Sequence, residues 1–70
     1  MSDDKVYAIS KLTGTSKTSI EDAIENAIGT AAKTIKNLDW FHVTETRGYI
    51  EGGKVGWYQV TLELGFRYEK

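Results

Sequence analysis

Apolar positions recur along this chain in two different periods, and the change of period marks out the elements. Between residues 20 and 38, Ile20, Ala23, Ile24, Ala27, Ile28, Ala31, Ile35 and Leu38 follow one another at steps of three and four. That spacing predicts one amphipathic helix with a narrow apolar stripe. Because much of the stripe is alanine, a sheet can approach it closely. Glu21, Asp22 and Glu25 sit near the predicted start, and Lys33 and Lys36 near the predicted end, in the order that complements a helix dipole. Thr18 with Glu21, or Ser19 with Asp22, has capping-box spacing, and Ser16 is a third candidate N-cap. Gly29 is a mild cost inside this helix, for which a close approach of the helix to a neighbour is the expected reason.

From residue 55 to 68 the period becomes two. Tyr58, Val60, Leu62, Leu64, Phe66 and Tyr68 alternate with Trp57, Gln59, Thr61, Glu63, Gly65 and Arg67, which predicts a strand with the first set turned to the helix. A second strand is expected over residues 40–50. There Phe41 and Val43 share one face while Trp40, His42, Thr44 and Thr46 share the other, and the alternation fails at Glu45 and Arg47, where a bulge or bend is expected. Gly52-Gly53 between these strands supplies the positive φ values of a tight hairpin turn. A first strand is expected over residues 6–12, broken by Gly14, and the polar residues 1–5 are expected to fray.

The resulting order is β-α-β-β, an α+β fold with a three-stranded antiparallel sheet in strand order 1-3-2 on one helix. The helical crossover sets strands one and two parallel, and strand three lies between them, antiparallel to both. With an unbulged two-residue turn, Thr46 falls opposite Gln59 and Trp40 opposite Gly65, whose missing side chain leaves room for an indole; a bulge shifts that register by one. A single helix covers one sheet face. The far face carries Trp40, Trp57, Gln59 and Thr61, too aromatic for a plain solvated surface, so burial between subunits is expected.

Composition narrows the function classes. Seventy residues make one small domain, 1–70, whose core is marginal by itself. There are 0 Cys and 1 His, which removes disulfides, thiolate metal sites and His-rich metal sites, and leaves oligomerisation as the source of extra burial. A formal net charge of -1 gives no polyanion-binding footprint, so nucleic acid is not an expected partner. No apolar run approaches membrane-spanning length and no signal peptide is visible, so a cytoplasmic protein with no membrane partner is the default.

No catalytic constellation stands out. His42 has no nucleophile partner in any recognisable motif, and Asp39, Glu45, Glu51 and Glu63 read as solvated or ion-paired surface groups. The chain is read as not an enzyme. What remains is recognition. Trp40 offers a π face, Gln59 an amide able to read a polar heterocycle edge, and Arg47 a fork for phosphate or carboxylate. Trp40 and Gln59 are expected near each other on the outer sheet face. By composition alone, however, Trp40 reads more simply as a packing or interface residue, and Arg47 as a surface ion-pair residue.

Val6-Tyr7, Leu12-Thr13-Gly14-Thr15-Ser16, Ser19-Ile20-Glu21, Ala23-Ile24, Asn26-Ala27, Lys33-Thr34, Asn37-Leu38-Asp39-Trp40-Phe41, Glu45-Thr46-Arg47-Gly48, Tyr58-Gln59-Val60 and Gly65-Phe66-Arg67 together resemble the dodecins, a family of small flavin-binding proteins, over about the whole chain. The resemblance implies a sheet wrapped on its helix and twelve subunits in a hollow shell, with flavins stacked in pairs between Trp side chains of symmetry-related subunits. Trp40 matches the stacking residue, Gln59 the residue that hydrogen-bonds the isoalloxazine edge, and Arg47 a position near the flavin in bacterial-type members. The bacterial character implies FMN ahead of riboflavin or related flavins; some bacterial members also bind coenzyme A, which the resemblance carries without residues. The function it implies is flavin storage and sequestration by a homododecamer. The rival reading is a structural or protein-interaction module whose aromatics seal an oligomer without a flavin. His42, Tyr49 and Trp57 depart from the family pattern; Trp57, on the face of Gln59, stands where it can alter the rim of the pocket.

Overall fold

The computed structural model of the chain describes residues 4–68; of the five residues expected to fray, the first three lie outside them. Four elements follow in order: β1 (Tyr7–Ser16), α1 (Ile20–Ala31), β2 (Leu38–Glu51) and β3 (Lys54–Arg67). The strands form one sheet in the order β1-β3-β2, with both pairs antiparallel, as the sequence predicts.

Gly14 does not break β1. The strand runs on to Ser16, with Gly14 opposite Val60, and the glycine is where the helix backbone rests on the sheet. A Cβ there would meet the Ala23 carbonyl oxygen and the Ala27 side chain. The missing side chain on the strand and the small ones on the helix are two halves of one close contact.

Helix α1 starts from Ser19, whose extended backbone (φ -166°) and Oγ, accepting from the Asp22 amide at 3.0 Å, make it the N-cap. Ser16 contributes as well. Its Oγ accepts from the Thr18 amide at 2.8 Å and the Ser19 amide at 3.3 Å, and donates to Asp22 Oδ2 at 2.7 Å. The end of β1 and the start of α1 are thus stitched by one hydroxyl.

The helix ends sooner than its stripe. It stops at Ala31, so Lys33 and Lys36 lie beyond it and its last turn holds no basic residue. Ile35 and Leu38 nevertheless pack on the core. The turn after Ala31 keeps apolar side chains on the same side, so the three-and-four spacing outlives the helix. Asn37 then takes the left-handed region (φ 66°), and its carbonyl accepts from the Arg67 amide at 3.1 Å. Gly29, expected to permit a close approach, instead faces open space within the subunit.

Ala23, Ala27 and Ala31 bury against Val60, Leu62 and Leu64, which form the core with Leu12, Ile24, Ile28, Ile35, Leu38 and Val43 around it. The helix packs on β1 and β3, and a cleft of about 250 Å³ opens between Ile24, Ile28 and Phe41 of β2. The turn between β2 and β3 has φ 59° at Gly52 and 77° at Gly53, the positive pair a primed hairpin turn requires. Beyond the helix this hairpin projects as a bare arm. The subunit measures 59 × 21 × 14 Å, and its radius of gyration is 14.8 Å, against about 11 Å for a compact chain of this length.

Candidate functional site on the outer sheet face

Three irregularities set which side chains share the outer face. Asp39 is extra between Leu38 and Trp40, Thr44 between Val43 and Glu45, and Gly56 between Val55 and Trp57. The bulge at Thr44 is the one that the failed alternation at Glu45 and Arg47 predicts. Gly56 shifts the register on β3 by one residue and Thr44, on β2, shifts it back. Trp40 therefore lies opposite Gly65, as expected, but Gln59 lies opposite Arg47 and not Thr46, which pairs with Val60 and turns to the helix side. Arg47 and Gln59 are thereby direct neighbours on one face.

At one end of that face Trp40 lies over Gly65. The glycine is buried by it, and a Cβ there would fall among the six-membered ring carbons of the indole. Tyr7, at the start of β1, stands beside the indole with ring centroids 6.0 Å apart and planes inclined by 56°. Its phenol donates to Asp39 Oδ2 at 2.7 Å, a bond that raises the phenol pKa above its usual value of about 10. The bulge at Asp39 is what brings that carboxylate within reach, so β1 and β2 are tied across β3 next to Trp40. The indole stays 39% exposed. Sequence reading missed Tyr7 and Asp39: their pairing depends on a register and a bulge with no local signal.

At the other end Gln59 is half-buried between Thr15 of β1 and Arg47 of β2. The Arg47 guanidinium donates through Nη2 to Glu45 Oε2 at 2.6 Å, and the hydrogen bond and charge of Glu45 raise its pKa further. One step beyond, Tyr49 and Trp57 stack across β2 and β3, with centroids 4.0 Å apart and planes within 6° of parallel. Between the two ends, Thr13 and Thr61 hydroxyls meet at 3.0 Å, and His42 Nδ1 lies 3.4 Å from Glu63 Oε1. His42 is a cross-strand surface partner with no nucleophile beside it. Among the described residues no cluster of His, Cys, Asp and Glu is suited to a metal ion, and no helix is long and apolar enough to cross a membrane.

The expectation that Trp40 lies near Gln59 does not hold within one subunit. Gln59 and Gly65, the residue under Trp40, are separated along β3 by about 20 Å at roughly 3.3 Å per residue. The cleft next to Trp40, lined by Ile28, Leu38, Asp39, Phe41 and Leu64, opens toward the helix side and holds about 140 Å³, below the roughly 300 Å³ of a typical small-molecule site. A single copy thus carries an aromatic plate at one end and a polar edge at the other end of one sheet face.

Comparison with known proteins gives that face a family. The profile of the Dodecin family matches residues 6–69. A Dodecin of Thermus thermophilus is 50% identical over 66 residues, spanning 94% of this chain and 96% of that protein. Among solved structures, dodecin from Streptomyces coelicolor superposes with a TM-score of 0.89 at 42% identity, covering 99% of both chains. A Thermus thermophilus protein superposes with a TM-score of 0.90 at 49% identity, covering 96% of this chain and 98% of that one. With the profile spanning nearly all of it and half of 66 aligned residues identical to one member, this chain belongs to the dodecin family.

Proposed function

We propose that this chain is a non-enzymatic protein that binds, stores and sequesters FMN as a homododecamer, with Trp40, Gln59 and Arg47 as the residues that hold the flavin. Family membership supports a general role in flavin binding. The observation that carries the finer reading is the separation of the two half-sites: an exposed indole on Gly65 and, about 20 Å along the strand, an amide beside a guanidinium. Each is incomplete alone, and neighbouring copies of the same face supply what each lacks.

In this reading Trp40 stacks on the isoalloxazine, Gln59 hydrogen-bonds its polar edge, and Arg47 exchanges its contact with Glu45 for the FMN phosphate. A guanidinium suits that exchange because it is always charged and can grip two oxygens at once. The bound flavin supplies a light-absorbing, redox-active ring. Trp40, an electron-rich indole, would be the residue held against that ring and so the one placed to quench its fluorescence. Stacking contributes about 1 kcal/mol per aromatic pair beyond burial, and enclosure between subunits adds the rest.

Titration of FMN with the assembled protein tests this. Flavin emission should fall strongly and saturably, and Gln59→Ala should weaken binding by about 1–3 kcal/mol, the cost of leaving a buried polar group unpaired. Unchanged emission in the presence of excess protein would rule the flavin out.

A further inference from the structure

Gly65 makes room for the Trp40 indole but gives it nothing to grip. A ring resting on a glycine is free to slide, or to swing outward about its side-chain torsions. Tyr7 supplies a stop. Its ring stands against the indole with centroids 6.0 Å apart and planes at 56°, within the separation at which tilted aromatic pairs attract.

Tyr7 is itself held at its far end. The phenol donates to Asp39 Oδ2 at 2.7 Å, the short length of a hydrogen bond to a charged acceptor. That bond, ahead of any other cause, raises the phenol pKa, so the hydroxyl remains a donor through the neutral range. Asp39 directly precedes Trp40 in the chain. In a regular strand such neighbours point to opposite faces; the bulge at Asp39 brings its carboxylate within reach of Tyr7 beside the indole. The contacts close a loop. Asp39 is joined to Trp40 through the backbone, its carboxylate holds the Tyr7 hydroxyl, and the Tyr7 ring bears on the indole.

We infer that Tyr7 and Asp39 are positioning residues for the stacking site: together they hold the Trp40 indole on Gly65 before any ring arrives, so that little of its freedom is left to lose on binding. The inference rests on the proposed role of Trp40 as the flavin-stacking residue, but the clamp belongs to the free protein and is measured without flavin.

The test uses the assembled protein carrying Trp57→Phe, in which Trp40 is the remaining one of the chain's 2 tryptophans. Into this parent go Tyr7→Phe, which keeps the ring and deletes only the hydroxyl, Asp39→Ala, which deletes the acceptor, and Asp39→Asn, which keeps an acceptor oxygen. Time-resolved fluorescence anisotropy of Trp40 without flavin should gain a larger fast component in Tyr7→Phe and in Asp39→Ala. The double variant should gain no more than either single one, because both break the same bond, and Asp39→Asn should stay near the parent. FMN affinity, read from the quenching titration, should fall about two- to tenfold in Tyr7→Phe and Asp39→Ala, the effect of having to immobilise one more side chain. Thermal melting and size-exclusion elution should stay close to the parent's, since the bond is exposed. If Asp39→Ala does not assemble, Tyr7→Phe decides alone. Trp40 anisotropy that Tyr7→Phe leaves at the parent's value overturns the proposal, as does a loosened indole in a protein whose FMN affinity is unchanged. A parent that binds no FMN contradicts the flavin reading, while the anisotropy of Tyr7→Phe still decides the clamp.

Discussion

Gly65 decides where the Trp40 indole can lie. Without a side chain at that position, the ring settles against the sheet backbone and keeps its other face outward, steadied by Tyr7 at 6.0 Å. Gly65→Ala puts a methyl group where ring carbons now sit, so the indole must swing away. FMN affinity, read from the quenching titration, should fall about fivefold, the effect of losing one aromatic stack of about 1 kcal/mol. The circular dichroism of the sheet should stay as it is, because alanine suits a strand no worse than glycine. A variant that binds and quenches FMN like the parent would mean that the indole's seat on Gly65 is not part of the site. At this scale the sequence was informative about identity and poor about partners. An indole opposite a glycine was legible from strand register, whereas the Tyr7–Asp39 bond required the bulge at Asp39.

The elements were legible wherever their signals are local. The helix start, the Gly52-Gly53 turn and the alternation of β3 all rest on side chains a few residues apart. Two boundaries moved for a physical reason: Gly14 serves a helix contact from inside a strand, and Ile35 and Leu38 reach the core from outside the helix. A period reports which side a residue faces, not which backbone carries it. The bulges divide in the same way. Thr44 announced itself through Glu45 and Arg47, but Gly56 left the alternation of β3 intact from Trp57 onward, and so the neighbour of Gln59 is the one that the bulged alternative gives, shifted by one. The two glycines on either side of this question give opposite predictions. Gly14→Ala forces a methyl onto the Ala23 backbone carbonyl, which cannot move aside, and should destabilise by about 1–3 kcal/mol. Gly29→Ala, exposed in a helix with open space around it, should stabilise by about 0.5–1 kcal/mol. Denaturant unfolding of both variants checks the pair; a harmless Gly14→Ala would mean that the close helix-to-strand contact is not what glycine serves there.

As a whole molecule the subunit is half-dressed. One helix covers β1 and β3, while Phe41, Tyr49, Ile50 and Val55 are left exposed along the hairpin, Ile50 at 81%. An exposed apolar run on an arm of this length is a surface made for other copies. In the proposed site, partners would also resolve the separation of Trp40 from Gln59 and Arg47, which cannot be seen by counting residues on one chain, since a site shared between copies leaves each copy with only part of its pattern.

The central claim is that the flavin site is completed between subunits, and subunit complementation tests it most directly. Trp40→Ala and Gln59→Ala variants are each assembled alone, then unfolded, mixed and reassembled together. Alone, Trp40→Ala should not quench FMN and Gln59→Ala should do so weakly. Mixed shells, in which one copy supplies the indole and another the amide, should bind and quench FMN in part and well above the average of the two separate variants. Mixed shells that bind no better than that average would contradict a site built from two chains.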